Sequence, residues 1–375
     1  MTWKIPLFKI YFDETDITNV TDTIRSGQNW AVGANIEKFE LGLSEYIGSK
    51  YCTTFNSGTS ALHALLMAYG LGKGDEVIVP SFTFIATANS PLFVGAKPVF
   101  ADIEEETYGL DPQDVMERIS SKTRVIMPIH YGGCPCKIRE LREIAQDHNL
   151  LLIEDAAESL GATIGNKKVG TFGDAGMISF CQNKIISSGE GGAIVTDSKD
   201  TFEKLKLIRS HGRLETSDYF SSTDIFDYIT LGFNLRMSNI AAALGVAQLN
   251  KVNKIINMRR DLAKVYTEKL SKLGGNIRFN KVPSDYSQVH QLFSLRAQKR
   301  DALIQYLANK GIMSKIYFSP IHSTHFYKNL LKYVPHLPVT QKVSSEIISL
   351  PFYPTMPLTD LNFVVNSIKQ FYSEV

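Results

Sequence analysis

An α/β fold with a mostly parallel sheet, followed by a smaller α+β unit, is what this sequence predicts, and two features predict it. Short, almost wholly apolar runs of strand length alternate with stretches that carry apolar residues at helical spacing. The runs lack the in–out alternation of a strand wetted on one face, as expected for strands covered on both sides. Past residue 240 the texture changes to longer helical patterns around two further short apolar runs, with no Pro-, Gly- or Ser-rich tether between the parts. The boundary therefore belongs at a helix, giving a large domain over residues 1–245 and a small C-terminal domain over 246–375.

The elements follow in order. Glu76-Val77-Ile78-Val79 is the first strand candidate, Thr123-Arg124-Val125-Ile126-Met127 the second and Leu150-Leu151-Leu152-Ile153 the third. Gly176-Met177-Ile178-Ser179-Phe180 and Ala193-Ile194-Val195 come next. Between them, 60–69 repeats Ala61, Leu65 and Ala68 with Leu62, Leu66 and Tyr69 beside them, and 138–148 repeats Leu141, Ile144 and Ala145. Strand, helix, strand, helix reads as parallel-sheet crossovers. Beyond the boundary, 239–257 reads as one long helix with Ile240, Ala243, Val246 and Leu249 on one side. Leu292-Phe293-Ser294-Leu295 and Ile347-Ile348-Ser349-Leu350 are strands, separated by helical patterns such as 300–310. Lys251, Lys254, Arg259 and Arg260 read as a solvated helix face.

Composition limits what such a fold does. The 375 residues carry 40 Lys and Arg against 38 Asp and Glu, a net +2, so no strong field draws a polyanion and nucleic-acid binding is disfavoured. Apolar residues at 44% and charged residues at 21% exclude wholesale disorder. No apolar run reaches the roughly 18 residues of a membrane span. Residues 1–9 carry Lys4 and Lys9 but no long apolar run or small-residue cleavage site, which argues against secretion. Four cysteines are too few for a disulfide scaffold, and only Cys134-Pro135-Cys136 is clustered, without a second pair to complete a metal site. Free thiols in a reduced, cytoplasmic protein are expected, and no metal.

In an open α/β sheet, ligands bind beyond the carboxyl ends of the strands. Phe55-Asn56-Ser57-Gly58-Thr59-Ser60 is a small, hydroxyl-rich turn opening a helix, suited to cradling a phosphate and equally to an ordinary N-cap. Phe84, after Val79-Pro80-Ser81-Phe82-Thr83, is a stacking wall for a flat ring or a core residue. Glu154-Asp155 and Glu158 follow a buried strand; three acids there need a cation or proton donors, or serve the helix dipole. Lys184 sits between a strand and the reversal Gly189-Glu190-Gly191-Gly192, where it is a desolvated nucleophile or a solvated loop lysine. The segment His130-Tyr131-Gly132-Gly133, which follows another strand, is a candidate pocket wall, and His322, after Tyr317-Phe318-Ser319-Pro320-Ile321, a candidate for approaching substrate; a hydrogen-bonded structural histidine is the rival reading of both. Taken together, a phosphate cradle, a ring wall, a buried carboxylate and a lysine meet the needs of pyridoxal 5'-phosphate. No G-x-G-x-x-G opens a helix after an early strand, which excludes a dinucleotide-binding dehydrogenase.

The ordered set resembles the DegT/DnrJ/EryC1/StrS family of sugar aminotransferases, of fold-type-I architecture, over nearly the whole chain. It runs from Ser26-Gly27-Gln28-Asn29-Trp30 with Gly33 and Phe39-Glu40, through the segments above, to His211-Gly212, Gly232-Phe233-Asn234-Leu235-Arg236-Met237-Ser238 and Leu350-Pro351. The resemblance implies that Lys184 forms the Schiff base with the cofactor and carries protons. Asp155 would pair with the ring nitrogen and Phe84 stack on the ring. Gly58, Thr59, Ser60 and Ser179 would hold the phosphate, and Asn234 would reach the phosphate of a neighbouring subunit, making a homodimer with shared sites. Glu158 stands where many members carry Gln or His, and is similar to members that aminate C4 of a nucleotide-linked 4-keto-6-deoxy sugar. His322, Tyr317 and Trp30 are the substrate-side candidates. Leu235 departs from the aromatic residue common at its place and Tyr228 stands where many members have His; both departures fall on the sugar side. Lys184 argues against the branch that dehydrates sugars at C3. The expected activity is transfer from L-glutamate to a UDP-, GDP- or dTDP-linked keto sugar, with pyridoxamine 5'-phosphate as the form between the half-reactions. The alternatives are amination at C3 or of another keto polyol, and a regulatory protein that binds the cofactor without turnover.

Overall fold

The structure, a computed structural model, describes residues 3–214, 222–331 and 333–374. The strands are β1 (Tyr51–Phe55), β2 (Glu76–Pro80), β3 (Lys97–Ala101), β4 (Thr123–Ile126), β5 (Leu151–Asp155), β6 (Thr163–Ile164), β7 (Lys167–Lys168), β8 (Ala175–Ser179), β9 (Gly192–Thr196), β10 (Ile277–Arg278), β11 (Tyr286–Ser287), β12 (Phe293–Ala297) and β13 (Ile347–Leu350). Seven of them form the main sheet in the order β1-β9-β8-β5-β4-β2-β3. β3, β2, β4, β5 and β8 pair in parallel, whereas β9 runs antiparallel to both β8 and β1. Two reversals restore direction, so β1 runs with the parallel strands. The carboxyl ends of β1, β2, β4, β5 and β8 therefore share one edge, and β9 starts there.

The expected strands and the crossover helices Gly58–Ala68 and Ile138–Asp147 are all present. Their apolar residues pack as the two-sided burial requires: Leu62, Leu65, Val77, Val79, Met177 and Ile194 share one cluster on one face, and Ile78, Ile126, Leu141 and Leu152 another. A further core gathers Leu262, Tyr266, Phe293, Leu295, Ile348, Leu350 and Val364 around the sheet β10-β12-β13. Ile5 joins this core and bridges to Ile312, so the start of the chain packs with its C-terminal third. Among the described residues no helix is long and apolar enough to cross a membrane.

Two expectations are corrected. The single helix over 239–257 is two helices, Asn239–Leu249 and Val252–Leu270. Lys251 interrupts them at φ −115° and ψ 9°. Its buried ammonium donates to Asp13 Oδ1 and Thr15 Oγ1, and at 2.7 Å to Asp16 Oδ2. The break is thus a tertiary effect, without Pro or Gly to mark it. The basic run is not a solvated face either. Arg259 is buried and donates to the carbonyls of His290 and Gln291, and Arg260 donates to Gln288 O and Ser287 Oγ; only Lys254 of the four is exposed.

Candidate active site

The helix Gly58–Ala68 begins where β1 ends. Ser57 caps it, its Oγ accepting from Ser60 N at 3.1 Å. The amides of Gly58 and Thr59 have no acceptor within the helix, by helix geometry, and the dipole adds positive potential there. A Cβ on Gly58 would stand 3.0 Å from Met177 Sδ and 3.4 Å from Ser179 Cβ. The last residue of β8 therefore lines the same cradle. Gly192 closes it from behind: it pairs with both Phe55 and Ser179, and a Cβ on it would meet Gly58 N at 2.5 Å. Gly192 is thus required by close backbone approach. Below the cradle, Glu40 accepts from Thr54 N, Thr54 Oγ1 and Arg209 Nη1, anchoring β1 to the rest of the fold.

The three acids after β5 divide their roles by direction. Glu154 is fully buried and accepts from Gly170 N, Phe172 N, Gly173 N and His130 Nε2 at 2.6–2.9 Å. His130 Nδ1 accepts from Cys136 N, so the ring proton lies on Nε2. His130 is therefore a structural histidine that supports the loop after β4 rather than a pocket wall. Asp155, on the opposite face of the strand, accepts from Thr87 Oγ1 at 2.7 Å and Ala157 N at 3.2 Å. Burial raises its carboxyl pKa, while the bonds from Thr87 and Ala157 and the charge of Lys184 pull it down. Glu158 accepts from Gly132 N at 2.8 Å and faces Lys184 Nζ at 3.4 Å.

Lys184 projects from the loop between β8 and β9, with 14% of its side chain exposed. That loop is held by the bonds Lys184 N to Cys181 O and Ser188 N to Phe180 O, both 3.0 Å, and by Gln291 Nε2 donating to Asn183 O. Phe84 is not a core residue. It stands in the N-cap position of the helix Ile85–Phe93, 57% exposed, with the Phe318 ring 6.3 Å away. Tyr317 is half-buried beside Asn183 and Glu158; burial and the Glu158 charge push its hydroxyl pKa up.

His322 is buried, and its Nδ1 is 2.7 Å from Ser81 Oγ, which also accepts from the His322 amide. Trp30 is half exposed, its Nε1 donating to Ile24 O and its carbonyl accepting from Ile240 N, contacts remote in sequence from Lys184. Asn234 is exposed, next to Leu235 whose carbonyl accepts from Asn56 N at 2.8 Å. The sequence singles out neither Thr87 nor Gln291. Gly132 belongs to the segment expected to wall the pocket; it takes φ +62° and donates its amide to Glu158.

The donor set fits pyridoxal phosphate: a glycine-floored cradle with free amides for the phosphate, a buried carboxylate for the ring nitrogen, an exposed aromatic face and a lysine within reach of a carboxylate. Cys134 and Cys136 are buried free thiols, and among the described residues no group of His, Cys, Asp or Glu is arranged to hold a metal ion.

The model of the DegT/DnrJ/EryC1/StrS aminotransferase family matches residues 11–369. The chain is similar to GDP-perosamine synthase of Vibrio cholerae, 35% identical over 98% of this chain and 99% of that protein. It is also similar to the dTDP-3-amino-3,6-dideoxy-alpha-D-galactopyranose transaminase of Aneurinibacillus thermoaerophilus, 32% identical over 91% of each. Among solved structures it resembles Helicobacter pylori PseC, an aminotransferase involved in the biosynthesis of pseudoaminic acid, with TM-score 0.93 and 27% identity over 99% of this chain and 100% of that one.

Proposed function

Since this chain belongs to the DegT/DnrJ/EryC1/StrS aminotransferase family, we propose that it is a pyridoxal-phosphate-dependent enzyme that moves an amino group from L-glutamate to C4 of a nucleotide-linked 4-keto-6-deoxyhexose. The observation that carries this reading is the meeting of Lys184, Asp155, Glu158 and the Gly58 helix start at one edge of the sheet. The likeness to a GDP-perosamine synthase favours a GDP-linked sugar. A second reading, amination at C3, draws on the likeness to a transaminase whose name places the amino group there.

Bound pyridoxal phosphate would supply an aldehyde to receive the amino group and a ring to draw electrons from the bond that breaks. The amides of Gly58 and Thr59, with the hydroxyls of Ser60 and Ser179, would hold the phosphate. Asp155, with its donors Thr87 and Ala157, would keep a proton on the ring nitrogen. Phe84 would cover one ring face. Glu158 holds Lys184 Nζ in place at 3.4 Å, and that nitrogen, as a free amine, would take the proton from the donor's Cα as general base. Asn234 of a second copy completes the phosphate site, so the working unit is a homodimer.

The test is an absorption spectrum of the purified protein before and after L-glutamate, then after a GDP-linked 4-keto-6-deoxyhexose. A visible imine band that bleaches with glutamate and returns with the sugar, with nitrogen at C4 in the product by NMR, is expected. A band unmoved by glutamate would overturn the donor, nitrogen at C3 would favour the second reading, and no band after reconstitution would remove the cofactor assignment.

A further inference from the structure

We propose that Thr87 is a positioning residue for the cofactor-binding carboxylate: its hydroxyl keeps Asp155 ionised and aimed, and Thr83 sets the direction of that hydroxyl. The proposal rests on the assignment of Asp155 to the ring nitrogen made above.

The side chains of Thr83 and Thr87 are buried, at 1% and 0% exposure. Valine would fill the same space without a hydroxyl to satisfy, so two buried hydroxyls call for a reason. Thr87 Oγ1 is 2.7 Å from Asp155 Oδ2 and 2.9 Å from Thr83 Oγ1. A hydroxyl has one hydrogen, and an ionised carboxylate only accepts. The Thr87 hydrogen therefore goes to Asp155, and the Thr83 hydrogen must go to Thr87. The chain Thr83 to Thr87 to Asp155 runs in one direction as long as Asp155 is charged, and each bond polarises the next.

Among the described residues the other donor to Asp155 is Ala157 N, at the longer distance of 3.2 Å. Burial is the largest influence on its carboxyl and favours the neutral acid. A neutral Asp155 cannot pair with a protonated ring nitrogen. Of the two hydrogen bonds that oppose burial, the one from Thr87 is the shorter, 2.7 Å against 3.2 Å. Thr83 precedes Phe84 in the turn between β2 and the helix Ile85–Phe93, and Thr87 lies in the first turn of that helix, its amide donating to Phe84 O at 3.2 Å. One turn thus carries the side chain proposed to cover the ring and the donor that fixes the carboxylate on β5, so the two contacts to the ring move together.

The experiment uses full-length protein reconstituted with nitrogen-15-labelled pyridoxal phosphate, comparing wild type with Thr87→Val, Thr87→Ser and Thr83→Val. The readouts are the ring-nitrogen resonance by solid-state NMR and the cofactor dissociation constant. Wild type and Thr87→Ser should place the resonance at the protonated position. Thr87→Val should move it toward the unprotonated one and raise the dissociation constant on the order of tenfold, the scale of a hydrogen bond to a charged group. Thr83→Val should give a smaller shift in the same direction; it carries the test if Thr87→Val does not fold. A Thr87→Val protein with wild-type resonance and affinity overturns the proposal, as does a folded Thr87→Ser that fails to restore them. A wild-type resonance already at the unprotonated position overturns the assignment of Asp155 itself, and the two failures are told apart by that first spectrum.

Discussion

Asp155 keeps a carboxylate where water does not reach, and that has a consequence for stability. Burial raises its folded pKa above the ordinary 3.8, so between those two values the folded state binds more protons than the unfolded chain. Stability contributed at this site therefore falls as pH rises through that window, and at neutral pH the charge is a burden on the apoenzyme. Asp155→Asn without cofactor should melt at a higher temperature than wild type at pH 7, with the gap narrowing as pH falls toward 3.8. The holoenzyme of the same variant should lose most of its turnover. Melting curves of both apoenzymes check this, and an equal or lower melting point at neutral pH would contradict it. Lys184→Ala, preloaded with the amine form of the cofactor, should give at most one product per site, and steady turnover should fall by at least roughly a hundredfold. Lys184 and Asp155 were legible because each follows an apolar run, where a parallel sheet puts its ligands. The division of labour between Glu154 and Asp155 was not, because it depends on which donors the β8 approach and the loop after β4 deliver. His130 and His322 look alike in the sequence, and both prove to be held by internal hydrogen bonds.

Among the elements, the Gly-rich reversal gives the sharpest contrast. Gly192 does not take a left-handed conformation, yet a Cβ there would meet the backbone of Gly58 and Ser57. Gly189 is left-handed at φ +84° with open space around it. Gly192→Ala must push the helix start off β9, which should destabilise the fold by about 1–3 kcal/mol and loosen the cofactor's phosphate. Gly189→Ala meets only local strain, about 1 kcal/mol, and should leave cofactor affinity close to wild type. Thermal melts with cofactor titrations separate the two, and equal losses of affinity would refute the cradle geometry. The strands of the sheet centre were readable because two-sided burial makes them apolar. β1 and β3 were not, since Tyr51-Cys52-Thr53-Thr54-Phe55 and Lys97-Pro98-Val99-Phe100-Ala101 mix polar residues at the sheet's two edges. The break at Lys251 escaped for a related reason: helical periodicity continues across it, and the partners that hold it, buried Asp16 with Asp13 and Thr15, come from residues 13–16.

At the scale of the whole molecule, the surface before Asn234 carries the argument for a shared site. Ile225, Tyr228, Ile229 and Leu231 all stand exposed within seven positions of one another. A run of large apolar side chains open to water in a single chain marks an interaction surface. It leads directly to Asn234, which is exposed on the same stretch while its neighbour Leu235 is bonded to the turn after β1. A second copy seated on this surface would cover the apolar run and carry Asn234 toward the other copy's phosphate cradle. Leu231, 70% exposed, tolerates a polar replacement in the monomer's own fold, so Leu231→Asp probes assembly without disturbing a core. Sedimentation at micromolar protein should find the wild type dimeric and Leu231→Asp shifted to monomer, with cofactor affinity falling about tenfold as one phosphate donor is lost. Asn234→Ala should lower the affinity by a similar factor while leaving the dimer intact. The pair of variants separates assembly from phosphate binding. A monomeric Leu231→Asp that holds the cofactor as tightly as wild type would mean each chain completes its own site. An unchanged dimer would mean the copies meet elsewhere.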